Sequence, residues 1–344
     1  MKHFTALLTL LLLSLTACAP QLQPPSTQSA APQLLADRIV MSDGAALPLR
    51  QWQPKGEPKA VILALHGFND YSFSFDAPAK DWAAAGVATF AYDQRGFGAT
   101  PYRGLWAGED RMMADLRTAA ALLRERYPAT PLYLLGESMG GAVIMAAAAS
   151  TDPPPSDGLI LAAPAIWGRE TQGPIQSGAL WLAAHTVPWA ELTGEGLHIH
   201  PSDNIAMLRQ LGRDPLVIKE TRVDAIWGLV NLMDRAYAAA PRLHGRILVL
   251  YGSREDIMPG SAVLATLRHL PGGAGERPRI ALYQKGYHML LRDLEAKVVR
   301  DDIVAWIADP AAPLPSGGDA LAEHVLAADD DDSLKAELPA IAGQ

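Results

Sequence analysis

Short runs of uninterrupted apolar sequence recur along this chain, and they limit its fold more tightly than any other feature. They are Ala60 to Leu65, Val87 to Tyr92, Leu132 to Leu135, Gly158 to Ala162, Ile247 to Tyr251 and Ile280 to Tyr283. A strand with one wet face alternates apolar and polar residues, whereas a strand apolar throughout is covered on both faces. Helix-period segments lie between the runs at Ala77 to Ala85, Gly108 to Tyr127 and Gly140 to Ala149. A last one spans Met289 to Ile307, with Leu290, Leu294, Val298 and Ile303 near one face. Such alternation predicts an α/β fold, a mostly parallel, doubly wound sheet with helices on both faces. Ahead of it, Arg38 to Met41 and Leu47 to Trp52 flank Asp43-Gly44, a favourable hairpin turn.

One stretch breaks the rhythm. Pro164 to Arg242 carries Trp167, Trp181, Trp189 and Trp227 amid helix-like segments and has no convincing central strand. So long an insertion between two strands predicts a separate helical cap, at about residues 165–242. Its tryptophans are expected to line an apolar tunnel for an acyl chain or to pack the cap on the core.

The two ends read differently from the middle. After Lys2 and His3 comes an apolar run, Ala6 to Leu15, shorter than the ~20 residues a membrane helix needs. It ends in Leu15-Thr16-Ala17-Cys18, which resembles a bacterial lipobox. That resemblance implies a signal peptide over residues 1–17, cleavage before Cys18 and lipidation of its sulfur and amine. The implied location is the bacterial cell envelope. Ala19 stands where an aspartate would favour the inner membrane, so the periplasmic side of the outer membrane is expected. Cys18 is the only cysteine, which excludes a disulfide framework within the chain and any cysteine-rich metal site. Residues 18–33, rich in Pro, Gln and Ser, read as a tether. From Ala311 on, seven acids stand against one lysine, −6 of the formal net charge of −8. Residues 311–344 are expected to be a mostly disordered acidic tail, with a short helix near Ala320 to Ala327. The folded domain is then 34–310, close to neutral and without the basic patch that nucleic acid requires.

The chemistry is carried by Gly136-Glu137-Ser138-Met139-Gly140. It lies between the apolar run Leu132 to Leu135 and the helical pattern Gly140 to Ala149, the strand–turn–helix context of a nucleophile elbow. A serine hydroxyl is a poor nucleophile at neutral pH and needs a base, a group to orient the base and donors for the oxyanion. His288, in Gly286-Tyr287-His288 after the last strand, is the candidate base. Two adjacent carboxylates, Glu255 and Asp256, follow the strand Ile247 to Tyr251 and compete to orient it. Serine, acid, histidine is the chain order this topology expects. The amides of Phe68, after His66-Gly67, and of Met139 are the candidate oxyanion donors. His66 itself reads as a structural residue of its loop. Gly96-x-Gly98 lacks the further glycine and lysine of a phosphate loop. His198-x-His200 has no companions at ligand spacing, so no metal and no cofactor is expected.

On these motifs the chain resembles the α/β-hydrolase superfamily, and more closely its monoacylglycerol lipase/lysophospholipase (serine aminopeptidase S33-like) group. The resemblance covers about Arg38 to Ile307. It rests on His66-Gly67-Phe68-Asn69-Asp70, Tyr92-Asp93-Gln94-Arg95-Gly96-Phe97-Gly98, the serine pentapeptide with Gly141, the Gly252 to Pro259 segment and Gly286-Tyr287-His288. It implies a membrane-anchored ester hydrolase acting on monoacylglycerol or lysophospholipid through an acyl-enzyme. A small-ester or thioester hydrolase, an acyltransferase and a non-catalytic lipid-binding protein are the alternatives. Two positions depart from the group's pattern. Glu137 replaces the usual histidine before the nucleophile. The register of the usual aspartate falls on Glu255, which is therefore favoured as the triad acid over Asp256.

Overall fold

The computed structural model describes residues 19–194, 196, 198–272 and 277–327. Its first strands are β1 (Gln33–Leu34), β2 (Arg38–Val40) and β3 (Ala46–Trp52), an antiparallel entry in which β2 and β3 form the hairpin around Asp43-Gly44. There follow β4 (Ala60–Leu65), α1 (Asp76–Ala84), β5 (Val87–Tyr92), α2 (Glu109–Arg126), β6 (Leu132–Glu137), α3 (Met139–Ala148) and β7 (Gly158–Ala162). The insertion contributes α4 (Pro174–Thr186), β8 (Glu191–Thr193), α5 (Ile205–Arg213), β9 (Glu220–Arg222) and α6 (Val223–Ala239). The chain closes with β10 (Ile247–Gly252), α7 (Gly260–His269), β11 (Arg279–Tyr283), α8 (Ala296–Ala308) and α9 (Gly318–Ala327).

Nine strands form one sheet in the order β1-β2-β3-β5-β4-β6-β7-β10-β11, parallel from β5 to β11. Every residue of β4, β5, β6, β7 and β10 is buried. That is why these segments read as continuous apolar runs, since helices cover both faces. The chain steps from β4 to β5 in one direction and from β5 to β6 and β7 in the other. With right-handed crossovers, α1 falls on one face, where α8 joins it, and α2 and α3 on the other. The reversal puts β4 beside β6, with Leu65 opposite Gly136, so the loops leaving these two strands meet in one crevice.

The insertion is a cap, with α6 packed on α3 and α4 on α6. It also holds a short antiparallel ribbon, β8 with β9, that the sequence does not announce. Among the described residues no helix is long and apolar enough to cross a membrane.

Three expectations need correction. Residues 311–327 are not a disordered tail. α9 packs on the edge strand β11, burying Ala322 and Val325 with Leu314, and Asp319 pairs with Arg279 at 2.6 Å. The short helix expected near Ala320 to Ala327 is present, and what the string of Ala, Gly and Pro hid is its packing on the edge it covers. Residues 19–31 are not a free tether either. Gln23 is buried, its amide and side chain bonded to the carbonyls of Trp106 and Leu105 at 2.9 and 2.8 Å, and Ala30 bonds Ser42. The last helix of the α/β core begins at Ala296, not Met289. Its buried face is Val299, Ile303 and Trp306, while Leu294 and Val298 are exposed. The leader, Cys18 and the run Asp329 to Asp332 lie outside the described residues.

Candidate active site

The elbow is built by close approach. A side chain at Gly136 would overlap the backbone of Gly140, and one at Gly140 would overlap the Leu65 carbonyl. Only glycines let β6 turn straight into α3 against β4. Ser138, between them, has φ 52° and ψ −116°, a left-handed conformation costly for a residue with a Cβ. Three bonds hold it there. Its amide donates to Ala162 at 3.0 Å, and its carbonyl accepts from Ala142 at 3.1 Å and Ala165 at 3.0 Å. α3 is buried almost all round, so the elbow sits on a rigid base.

The loop after β4 lies against this elbow. A Cβ on Gly67 would be 3.4 Å from the Ser138 Cβ. Among the described residues no protein acceptor takes the amide of Phe68 or of Met139. Both are therefore available to an incoming oxygen. The Phe68 ring packs edge-on to Phe97 at 5.5 Å. Fully buried His66 holds the loop through its own ring. Nδ1 donates to the Gly67 carbonyl at 2.8 Å and Nε2 accepts from the Gln94 amide at 2.9 Å. Burial pushes its pKa down, and with both nitrogens engaged it has no lone pair left to act as a base.

The loops after β10 and β11 carry the other partners. His288 Nδ1 is 2.7 Å from Glu255 Oε2, and both side chains are buried. Glu255 Oε1 accepts from the amides of Ile257 and Met258 at 2.8 and 3.0 Å, so the whole carboxylate is oriented. Asp256 points elsewhere, its Oδ2 accepting from the His200 amide at 2.7 Å in the cap. Of the two adjacent acids, the structure brings Glu255 and not Asp256 to the imidazole. The pairing puts the ring proton on Nδ1 and leaves Nε2 as the basic nitrogen. Burial lowers the His288 pKa, but the Glu255 carboxylate, with Glu137 and Asp293 behind it, outweighs that and holds it above its ordinary value.

A second layer of charge was not foreseen from the motifs. Arg292, four residues after His288, is buried with its Nη2 2.7 Å from Asp70 Oδ2 and 3.2 Å from Glu137 Oε2. Asp293 accepts from Ser202 Oγ at 2.5 Å and from the Tyr287 amide at 2.7 Å, and burial lifts its pKa to about 6. The available signal was Glu137 itself, an acid ending a wholly apolar strand, which must find a cation. The Gly96-x-Gly98 turn is structural. Asp93 accepts from Ser72 and Ala99, and Arg95 bridges Asp43 and Asp115 at 2.6 to 2.9 Å.

The cap rests on both catalytic loops. Asn69 bonds Thr221 at 2.7 Å and Ile218 at 3.0 Å, and Tyr71 Oη donates to Asp214 at 2.7 Å. On the other side Met289 donates to the Pro201 carbonyl and Asn204 to that of Arg292, both at 2.9 Å. Trp181 and Trp189 are about half exposed, at 53% and 51%, with Ile175, Leu182 and Leu192 exposed near them in sequence. Of the four cap tryptophans, Trp167 packs against the core, as one of the two expectations has it, while Trp181 and Trp189 do not. His198 and His200 join no metal-binding cluster, and none of three or more His, Cys, Asp or Glu occurs among the described residues.

Comparison with known proteins places these features in context. A family model described as serine aminopeptidase, S33, matches residues 56–295. The monoacylglycerol lipase of Mycolicibacterium smegmatis is 25% identical over 74% of this chain and 90% of its own. The monoglyceride lipase of Rattus norvegicus is 27% identical over 78% and 89%. Among solved structures, a soluble variant of the Saccharomyces cerevisiae monoglyceride lipase, in complex with a substrate analog, superposes with TM-score 0.66. It is 21% identical and covers 83% of this chain and 98% of that one. A thermostable carboxyl esterase from Bacillus coagulans, in complex with glycerol, gives 0.67 at 20% identity, over 81% and 99%.

Proposed function

The chain belongs to the serine aminopeptidase S33 family of α/β-hydrolases, and from that premise we propose that it cleaves the ester of a monoacylglycerol or lysophospholipid. The observation that carries this reading is the buried His288–Glu255 pair, whose histidine loop Arg292 ties through Glu137 to the strained Ser138 elbow. In the proposed cycle Ser138 Oγ attacks the ester carbonyl as His288 Nε2 takes its proton. The amides of Phe68 and Met139 receive the oxyanion. His288 returns the proton to the leaving alcohol, and Glu255 balances the imidazolium. A water activated by the same nitrogen then releases the fatty acid and frees Ser138. Relatives whose names state monoacylglycerol or monoglyceride lipase over three quarters of the chain support the substrate class.

The reading includes a lipid anchor on Cys18 and a cap turned to the membrane. Gln21, three residues after Cys18, is bonded to Asp224 at the start of α6, beside the ribbon that carries Leu192 and the Trp189 turn. With sulfur and amine both acylated, the anchor would hold the chain on the membrane by itself, and the exposed apolar face would turn the cap toward the bilayer.

The test is lipid-substrate profiling of wild type and Ser138→Ala side by side, with a fluorophosphonate probe. Wild type should label at Ser138 and turn over long-chain monoacyl lipids; Ser138→Ala should do neither. A strong preference for acetyl over long acyl groups would sink the lipase assignment, and an unlabelled, folded wild type would sink the hydrolase itself.

A further inference from the structure

We infer that Arg292 is a positioning residue: one buried guanidinium that ties the oxyanion loop, the nucleophile elbow and the histidine loop together. The three segments come from three different strands, and each contributes one member. Asp70 follows Phe68 in the loop after β4, Glu137 immediately precedes Ser138 on β6, and Arg292 lies four residues beyond His288 after β11. Its Nη2 is shared between the two carboxylates, at 2.7 and 3.2 Å, and all three side chains are nine-tenths buried or more.

A buried arginine is retained only where it is paired, because desolvating the ion outweighs anything a single loose contact returns. Here it is held by acids on both of the segments that must stay in register with the histidine. The Asp70 carboxylate is itself fixed, its Oδ1 accepting from the Tyr71 amide at 2.9 Å. Arg292 is also tied outward, its carbonyl accepting from Asn204 of the cap. The geometry therefore sets three distances at once: elbow to imidazole, elbow to oxyanion amide, and cap to imidazole.

The cluster also shapes the local field. Two carboxylates and one guanidinium carry a net negative charge when both acids are ionised, close to an imidazole that must become a cation. Glu255, Glu137 and Asp293 all favour the His288 cation. Glu137 Oε1 and Arg292 Nε are buried without a protein partner, so the clamp is held by the Nη2 contacts and not by a saturated network. Burial, reinforced by Asp70, keeps the Glu137 pKa above its ordinary value despite Arg292.

This inference rests on the hydrolase reading of Ser138, and the experiment separates the two. Burst titration with a p-nitrophenyl ester counts competent sites, and turnover is then expressed per titrated site. Lysine keeps the charge at 292 but, being shorter and unforked, engages one carboxylate and not both. Arg292→Lys should lower kcat per titrated site about tenfold or more, with KM within about threefold, since misplacement of reacting groups acts on the chemical step. Asp70→Asn should act in the same direction. Glu137→Gln should move the acid limb of kcat/KM downward, because a carboxylate facing His288 is gone. A purely structural role would instead reduce the number of titratable sites and leave turnover per site unchanged. Wild-type turnover per site and an unmoved acid limb in these variants would overturn the inference. If Arg292→Lys does not fold, Asp70→Asn decides it alone. An inert wild type, or an active Ser138→Ala, would instead defeat the hydrolase reading.

Discussion

At the residue scale the decisive contrast is between two neighbouring carboxylates with different partners. Glu255 meets His288 inside the protein, whereas Asp256 meets the cap backbone at its surface. Glu255→Gln should lower kcat about 10³ to 10⁴-fold by losing the charge behind the imidazolium. Asp256→Asn should stay within about threefold of wild type, the ordinary range for a partly exposed polar change. Steady-state kinetics of the two purified variants checks both. The sign of the pH response follows from His288. Its pKa lies above 6.5, and only the neutral ring can take the serine proton, so kcat/KM should fall as pH drops through a midpoint above 6.5. A midpoint below 6.5 would contradict the carboxylate field described here. Ser138 and His288 were legible in sequence because their motifs fix the backbone around them. The choice of Glu255 followed from the register of the family resemblance, since the residues alone left it level with Asp256. The Asp70–Glu137–Arg292 cluster was not legible, since its members are 67 and 155 positions apart and share no motif.

At the scale of elements, burial decides what sequence can reveal. β4 to β7 and β10 were visible because both faces are covered, and covered faces demand apolar residues throughout. α7 was passed over although its burial is one-sided. α9 was read as no more than a short helix in a disordered tail, because its role lies wholly in the strand it caps. Its linker carries a direct test. Leu314, buried at the foot of α9, should cost about 2 to 5 kcal/mol on mutation to alanine, measured by urea unfolding. The joint between cap and core has a test of its own. A Cβ on Gly228 in α6 would overlap the indole of Trp106, whose carbonyl also receives Gln23. Gly228→Ala should therefore shift α6 off the core and lower Tm, with overpacking of this kind costing about 1 to 3 kcal/mol. An unchanged melting curve would mean that Trp106 can move aside freely.

At the scale of the molecule, the N-terminal segment runs from the cap, at Asp224, across the Leu105–Trp106 turn to the β2–β3 hairpin, where Ser26 bonds Asp43. It staples the lid of the site to the edge of the sheet. Composition pointed to a loose linker, because Pro and Gln lack the apolar pattern that announces packing; the binding is through backbone groups and one buried amide. The exposed Trp181, Leu182, Trp189 and Leu192 are large apolar side chains with no core to fill. Each inserted aromatic contributes about 1 to 3 kcal/mol to burial in lipid. An unlipidated chain carrying Trp181→Ser with Trp189→Ser should thus float with phosphatidylglycerol vesicles at least about tenfold less than wild type, and should keep its turnover of soluble esters.

That staple would set the length of the leash under the proposed anchor at Cys18. A free linker of fifteen residues would span about 20 Å or more on average and let the enzyme tumble. With Gln21 already bound, only two residues separate it from Cys18, three steps of chain or about 10 Å at full stretch. If Cys18 carries the proposed anchor, an enzyme so held would meet its substrate in two dimensions. Its rate on a bilayer would follow the mole fraction of substrate in the surface, and diluting the vesicles in buffer would leave it unchanged.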